Sequence, residues 1–187
     1  MQGAAPPTFD QLSEAIAGAD TGHDPARGLD LRQLYRTVSE RLPADRIVVT
    51  DAGRSRATMA ALVDDRDARR WIDSQGWGSI GLGLGFTIGA AAAAPDRRVV
   101  LFSGDVGSMM SSHDLDAMRL NDLDLTIIVR NDQQYGAELK YLGGDGVVIH
   151  DLSELRDEHL DRPGLFLIDA RIDPDVDWRT ALDAATI

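Results

Sequence analysis

Apolar positions change their spacing several times along the 187-residue chain, and each change marks an element. Leu31, Leu34, Tyr35, Val38 and Leu42 recur at helical spacing, and Pro43 cannot continue that helix. Ile47-Val-Val-Thr50 is instead an unbroken β-branched run, the mark of a buried strand, and Asp51-Ala-Gly53 closes it. Val99-Val-Leu-Phe102 and Leu125-Thr-Ile-Ile-Val129 repeat the run, while Val147-Val-Ile149 and Leu165-Phe-Leu-Ile-Asp169 are weaker versions of it. Helix-like segments, among them Met110 to Leu120, lie between them. Continuous apolar strands alternating with helices predict an α/β fold, doubly wound, with a mainly parallel sheet and helices on both faces. The first 28 residues do not share this pattern. Pro6, Pro7 and Pro25 and the polar stretch Gly22 to Gly28 flank one short helix at Phe9–Ala17. Residues 1–28 therefore read as a linker or N-terminal arm, and 29–187 as the main domain.

Charge and composition narrow the function. With 19 basic and 31 acidic side chains the chain carries a formal charge of −12, which argues against a life spent on nucleic-acid backbone. The absence of cysteine excludes a disulfide framework, a thiolate metal site, an iron–sulfur cluster and a cysteine nucleophile. The low-polarity run Ile80 to Ala94 is glycine-studded and too short to span a bilayer comfortably. Nothing at Met1 to Pro7 resembles a signal peptide, so a cytoplasmic location is expected. His23, His113, His150 and His159 are scattered without metal-ligand spacing, although His113 begins a helix just after a glycine-bearing turn.

In open parallel sheets ligands bind outside the carboxyl ends of the strands. Three polar, glycine-bearing turns fall there: Asp51 to Ser55, Gly104 to Ser108, and Asn131 to Gly136. Glycine allows a tight turn, and free N–H groups at a helix start attract phosphate. A neighbouring carboxylate repels phosphate unless a divalent cation lies between them. Asp105 and Asp132 together would hold Mg²⁺ through hard oxygen ligands, with diphosphate oxygens completing its shell. Caps on helices or turns would use the same two aspartates equally well. Gly76-Trp-Gly78-Ser-Ile-Gly81 also fits the Gly-x-Gly-x-x-Gly pattern of dinucleotide folds. That pattern needs a strand immediately before it, whereas Asp64 to Gln75 is charged and reads as helix or loop.

Gly104-Asp105, with Asn131-Asp132 downstream, resembles the thiamine-diphosphate motif, which begins Gly-Asp-Gly and ends Asn-Asn. The run Gly76 to Gly85, then Ile88 to Ala91 and Pro95 to Val100, is similar to the helix and strand preceding that motif. Tyr135-Gly-Ala-Glu138 is similar to the segment just downstream of the motif in 2-oxo acid decarboxylases and acetolactate-synthase-like enzymes. From about Leu29 to Leu142 the chain resembles the diphosphate-binding (PP) domain of those enzymes.

The resemblance implies thiamine diphosphate and Mg as cofactors, and it implies roles. Asp105 and Asp132 would be side-chain ligands of Mg²⁺, with the Gln134 carbonyl as a third. Arg54, Ser55, Gly104, Val106, Gly107 and Ser108 would hold the diphosphate, with Tyr135 and Gly136 nearby. The Gly78 carbonyl would accept a hydrogen bond from the aminopyrimidine, and Ile80 would wedge the cofactor into its bent form. Glu138 stands where decarboxylases of this family place an active-site carboxylate. Two positions depart from the motif: Val106 stands at its third position in place of glycine and therefore needs negative φ, and Asp132 replaces an asparagine.

The implied function is the PP domain or subunit of a 2-oxo acid decarboxylase or carboligase. Alternatives are a split-subunit sulfopyruvate- or phosphonopyruvate-type decarboxylase and a non-catalytic cofactor-binding subunit. No strand-and-helix set remains for the pyrimidine-binding domain such enzymes need, so a second chain or a missing segment is expected to supply it, in a hetero- or homo-oligomer. Only Lys140 to Asp145 separates the Glu138 region from the next strand, where relatives carry a longer segment over the substrate.

Overall fold

Six parallel strands run through the centre of the computed structural model, which describes residues 8–53, 56–63, 67–131, 145–173 and 176. They are β1 (Ile47–Thr50), β2 (Trp71–Asp73), β3 (Val99–Gly104), β4 (Leu125–Asn131), β5 (Asp145–Ile149) and β6 (Leu165–Arg171). Their order across the sheet is β2-β1-β3-β4-β6-β5, and every pairing is parallel. The side chains explain why both faces need cover. Val48, Val100, Phe102, Ile128 and Ile168 point to one side, and Val49, Leu101, Ile127 and Val129 to the other. Helices α1 (Phe9–Gly18), α2 (Leu31–Arg41) and α3 (Arg56–Leu62) close the first face through Ile16, Leu34, Tyr35, Val38, Met59 and Leu62. Tyr35 meets Phe102 edge-on, with ring centroids 5.5 Å apart. Helices α4 (Gly83–Ala93) and α6 (Leu115–Leu120) close the second face through Leu84, Ala90, Ala91, Leu115 and Met118. Each large apolar side chain buried this fully contributes about 1.5–3 kcal/mol. The doubly wound α/β expectation holds.

Two elements differ from the sequence reading. Strand β2 stands where a charged helix or loop was expected, immediately before the glycine run. It has three residues, sits at the sheet edge and is only half-buried, so it lacks the apolar run that betrays a central strand. The helix expected over Met110 to Leu120 is two helices. The first, α5 (Asp105–Met110), begins as β3 ends, and a 3-10 turn at Ser112–Asp114 separates it from α6. Ser111 marks the break: its hydroxyl donates to the Gly107 carbonyl at 3.3 Å, a local bond that competes with a continuous helix.

The stretch before Leu29 is tied down by a buried ion pair. Asp30 caps α2 by accepting the Arg32 N–H, and its carboxylate also accepts two bonds from the Arg32 guanidinium, at 3.0 and 2.6 Å. Arg32 donates as well to the carbonyls of Ile16 and Ala19 and to the Thr21 hydroxyl. Burial pushes the Asp30 carboxyl up, but the Arg32 hydrogen bonds and charge outweigh it and hold the group below the usual carboxylate range.

His159, in the short helix α7 (Asp157–Leu160), is buried against Phe166 with stacked rings 5.7 Å apart, and its Nε2 accepts from Arg156 Nε at 3.1 Å. Burial first, then the Arg156 charge, lowers its pKa below the ordinary 6.5. The folded state thus binds fewer protons than the unfolded chain. The stabilisation is complete above pH 6.5 and is lost as pH falls through the depressed folded value. Urea unfolding at about pH 7 and pH 5 is expected to show a smaller acid loss in His159→Leu than in the wild type; equal losses would remove His159 from the pH response.

Among the described residues no helix is long and apolar enough to cross a membrane.

Candidate cofactor-binding site

Strand register brings the informative turns to one rim. Thr50 lies beside Phe102 and Gly104 beside Arg130, so Asp51, Asp105 and Asn131 leave the carboxyl ends of adjacent strands. Asp105 opens α5 directly after β3. It is 5 % exposed, and its Oδ1 accepts the Val106 N–H at 2.9 Å. Gly104, the N-cap, has no side chain with which to satisfy the first turn of α5. In that turn Ser108 is buried, and its Oγ makes no hydrogen bond among the described residues. Val106 is helical; among the described residues the one non-glycine with positive φ is Asp122. The valine that departs from the motif therefore sits without backbone strain.

Asp51 organises the rim. Its carboxylate accepts the Gly81 N–H at 2.9 and 3.1 Å, the Gly83 N–H at 3.2 Å and the Ala52 N–H at 3.0 Å. The hydroxyls of Ser74 and Ser103 add bonds of 3.2 and 3.1 Å. Residue 107 has to be glycine for this to pack, since a Cβ there would stand 2.2 Å from Asp51 Oδ2. Gly81, at φ +85°, adopts a conformation that side-chain-bearing residues avoid, and it abuts Met110 and the Gly107 carbonyl. The segment between β2 and α4 is thereby held against α5 and the end of β1. It carries exposed Gly78 and half-buried Ile80, whose Cγ2 faces Gly53.

The structure thus brings Gly104, Asp105, Val106, Gly107 and Ser108 to one rim, with Ile80 beside Gly53 and Gly78 on the same segment three residues before Gly81. Arg54, Ser55, Asp132, Gln134, Tyr135, Gly136 and Glu138 lie outside the described residues. Among the described residues no three histidine, cysteine or acidic side chains group to hold a metal, and Asp105 is one oxygen donor of the expected set. His113 is exposed and pairs with Asp114 at 3.4 Å on the surface. Asp51 and Ser103 were not singled out from sequence. The available signal was an aspartate at a strand end with Gly81, Gly83 and Gly107 placed to approach it, and only the register of β1 beside β3 shows that they do.

A parallel sheet with glycine-rich turns and a buried aspartate opening a helix at its carboxyl rim is the class of α/β fold that binds phosphorylated cofactors at strand ends. Residues 51–156 match the family described as "Thiamine pyrophosphate enzyme, C-terminal TPP binding domain". The chain belongs to that family. It is 36 % identical over 103 residues to the acetolactate synthase isozyme 1 large subunit of Escherichia coli (strain K12), a match covering 55 % of this chain and 18 % of that protein. Over 107 residues it is 34 % identical to human (Homo sapiens) 2-hydroxyacyl-CoA lyase 2, covering 57 % of this chain and 17 % of the other. The chain thus matches less than a fifth of the length of these relatives. The solved structure of Rhodococcus jostii RHA1 thiamine diphosphate-dependent 4-hydroxybenzoylformate decarboxylase superimposes with a TM-score of 0.71 at 20 % identity, over 80 % of this chain and 34 % of that one. The fold is shared.

Proposed function

We propose that this PP domain serves a thiamine-diphosphate- and Mg²⁺-dependent enzyme that decarboxylates a 2-oxo acid, either releasing an aldehyde or joining the fragment to a second carbonyl compound. The observation that carries the reading is the start of α5, where a buried aspartate, a glycine N-cap and the Ser108 hydroxyl, unpartnered among the described residues, lie together. That donor set fits a diphosphate bound through a divalent cation. Asp105, with Asp132 and the Gln134 carbonyl, would hold Mg²⁺. Arg54, Ser55 and Gly104 to Ser108 would hold the diphosphate, beside Tyr135 and Gly136. Gly78 would accept the aminopyrimidine hydrogen bond, Ile80 would keep the cofactor bent, and Glu138 would carry a proton to the reacting carbon. When bound, thiamine diphosphate supplies a thiazolium carbon that adds to the 2-oxo group and takes up the electrons left by departing CO₂.

The proposal includes a partner. Helix α4 contains no charged residue, and its outer side, with Gly85, Phe86, Gly89, Ala92 and Ala93, is exposed beside Leu82 and Met110. An apolar face of this kind suits a pyrimidine-binding domain, whether on a second chain or elsewhere in a longer protein. We read the location as cytoplasmic, which suits a cysteine-free chain that needs soluble cofactors.

Thermal unfolding tests the cofactor assignment. At concentrations about 100 times the dissociation constant, thiamine diphosphate with Mg²⁺ would stabilise the folded chain by about 2.7 kcal/mol, raising the midpoint by several degrees. Neither component alone is expected to do so. No shift with both, or an equal shift with a nicotinamide dinucleotide, would overturn the reading.

A further inference from the structure

Asp51 is a buried carboxylate whose partners among the described residues are all neutral donors, and apart from Ala52 they stand 23 to 52 residues away along the chain. Ser74 begins the segment that follows β2, while Gly81 and Gly83 end it and begin α4. Ser103 comes from the end of β3, and the absent Cβ of Gly107 lets α5 close against the same oxygen. The N-cap of α4, Leu82, offers no side-chain acceptor, so the carboxylate at the end of β1 accepts the first helical N–H in its place. A carboxylate has about four lone-pair directions, and here Ala52 and Ser103 share them with donors from both ends of one loop. That loop carries Gly78 and Ile80.

We infer that Asp51 is a positioning residue: by bonding Ser74, Gly81 and Gly83 it fixes the 74–83 segment so that the Gly78 carbonyl and Ile80 are presented to the aminopyrimidine end of the cofactor. The inference rests on the proposed function, and it separates two tasks within the rim. The start of α5 anchors the diphosphate, whereas Asp51 sets the shape of the loop that governs the other end. Asp51→Asn keeps the volume but replaces one acceptor oxygen with an NH₂ group facing donors, so part of the array is broken.

The test has two readouts. In the ligand-free full chain, amide hydrogen exchange at Gly81 and Gly83 is expected to rise at least about tenfold in Asp51→Asn, while amides of α5 keep their wild-type rates. In the complete enzyme loaded with thiamine diphosphate and Mg²⁺, loss of the thiazolium C2 proton to D₂O is expected to slow by about 10–100-fold, because loop misplacement disturbs orientation, with cofactor affinity changed less than about threefold. Should Asp51→Asn fail to fold, Ser74→Ala/Ser103→Ala removes two donors, keeps the carboxylate and should move both readouts the same way by less. Unchanged exchange at Gly81 and Gly83 overturns the inference. So does raised exchange with wild-type proton loss, which would leave Asp51 merely structural. A wild type that takes up no thiamine diphosphate overturns the functional reading instead, and the exchange result on the ligand-free chain tells that failure apart.

Discussion

Supplied with thiamine diphosphate, Mg²⁺ and a 2-oxo acid, the purified 187-residue chain is expected to release no CO₂ above the rate of free cofactor, and to gain activity only with a pyrimidine-binding domain. The reason lies in which carboxylates remain for catalysis. Enzymes resembling this one start cofactor activation with a glutamate on the pyrimidine-binding domain, facing the ring nitrogen opposite the amino group. Among the described residues, the buried carboxylates at the ends of β1 and β3 already have other engagements: Asp51 with the loop donors and Asp105 with the start of α5. Neither stands free to work on the pyrimidine. The exposed side of α4, where Phe86 is 41 % and Leu82 37 % accessible, gives that domain an uncharged surface to cover. Phe86→Asp is expected to abolish the gain in activity on adding the domain while leaving the chain folded, because the charge would have to be buried on docking. Decarboxylation by the isolated chain at rates typical of enzymes, about 1 s⁻¹ or more, would show that the site is complete without a partner.

How far the sequence carried depended on whether a feature is local. Central strands announced themselves because residues buried on both faces are nearly all apolar or β-branched, as in Leu125 to Val129. Edge strand β2 did not, because Trp71, Ile72 and Asp73 are each only half-buried and sit among charged neighbours. The turn that carries Asp105 to the strand end was legible because the strand, the glycine and the aspartate are contiguous. The role of Asp51 was not, since its partners at 74, 81, 83 and 103 converge only after β1 pairs with β3 and α4 packs beside them. A polar residue at a strand end has many uses in sequence. Burial and a count of converging donors reduce them to one.

Asp105→Ala is expected to weaken Mg²⁺-dependent binding of thiamine diphosphate by at least about 100-fold, beyond the 10–100-fold typical for residues that only support a metal ligand. The side chain is buried at the start of α5, so the diphosphate would approach a carboxylate that water screens little. At an effective dielectric constant of about 20, like charges 4 Å apart repel by about 4 kcal/mol, close to a thousandfold in affinity. A cation between them would turn that repulsion into attraction on both sides, and in the proposed function Asp105 would recruit it. The two effects have opposite signs, which gives the experiment its resolving power. With Mg²⁺ present the variant loses a ligand and binds worse. With the metal chelated it loses only a repulsion, so it should bind residual cofactor no worse than the wild type, or better. Folding should survive, because the local bond to the Val106 N–H is worth only about 1 kcal/mol and helical circular dichroism will report its loss. Asp105→Asn, which keeps a neutral oxygen, should fall between. Calorimetric titration of the assembled enzyme with and without chelator decides the matter: equal Mg²⁺ dependence in the wild type and Asp105→Ala would move the metal away from this aspartate.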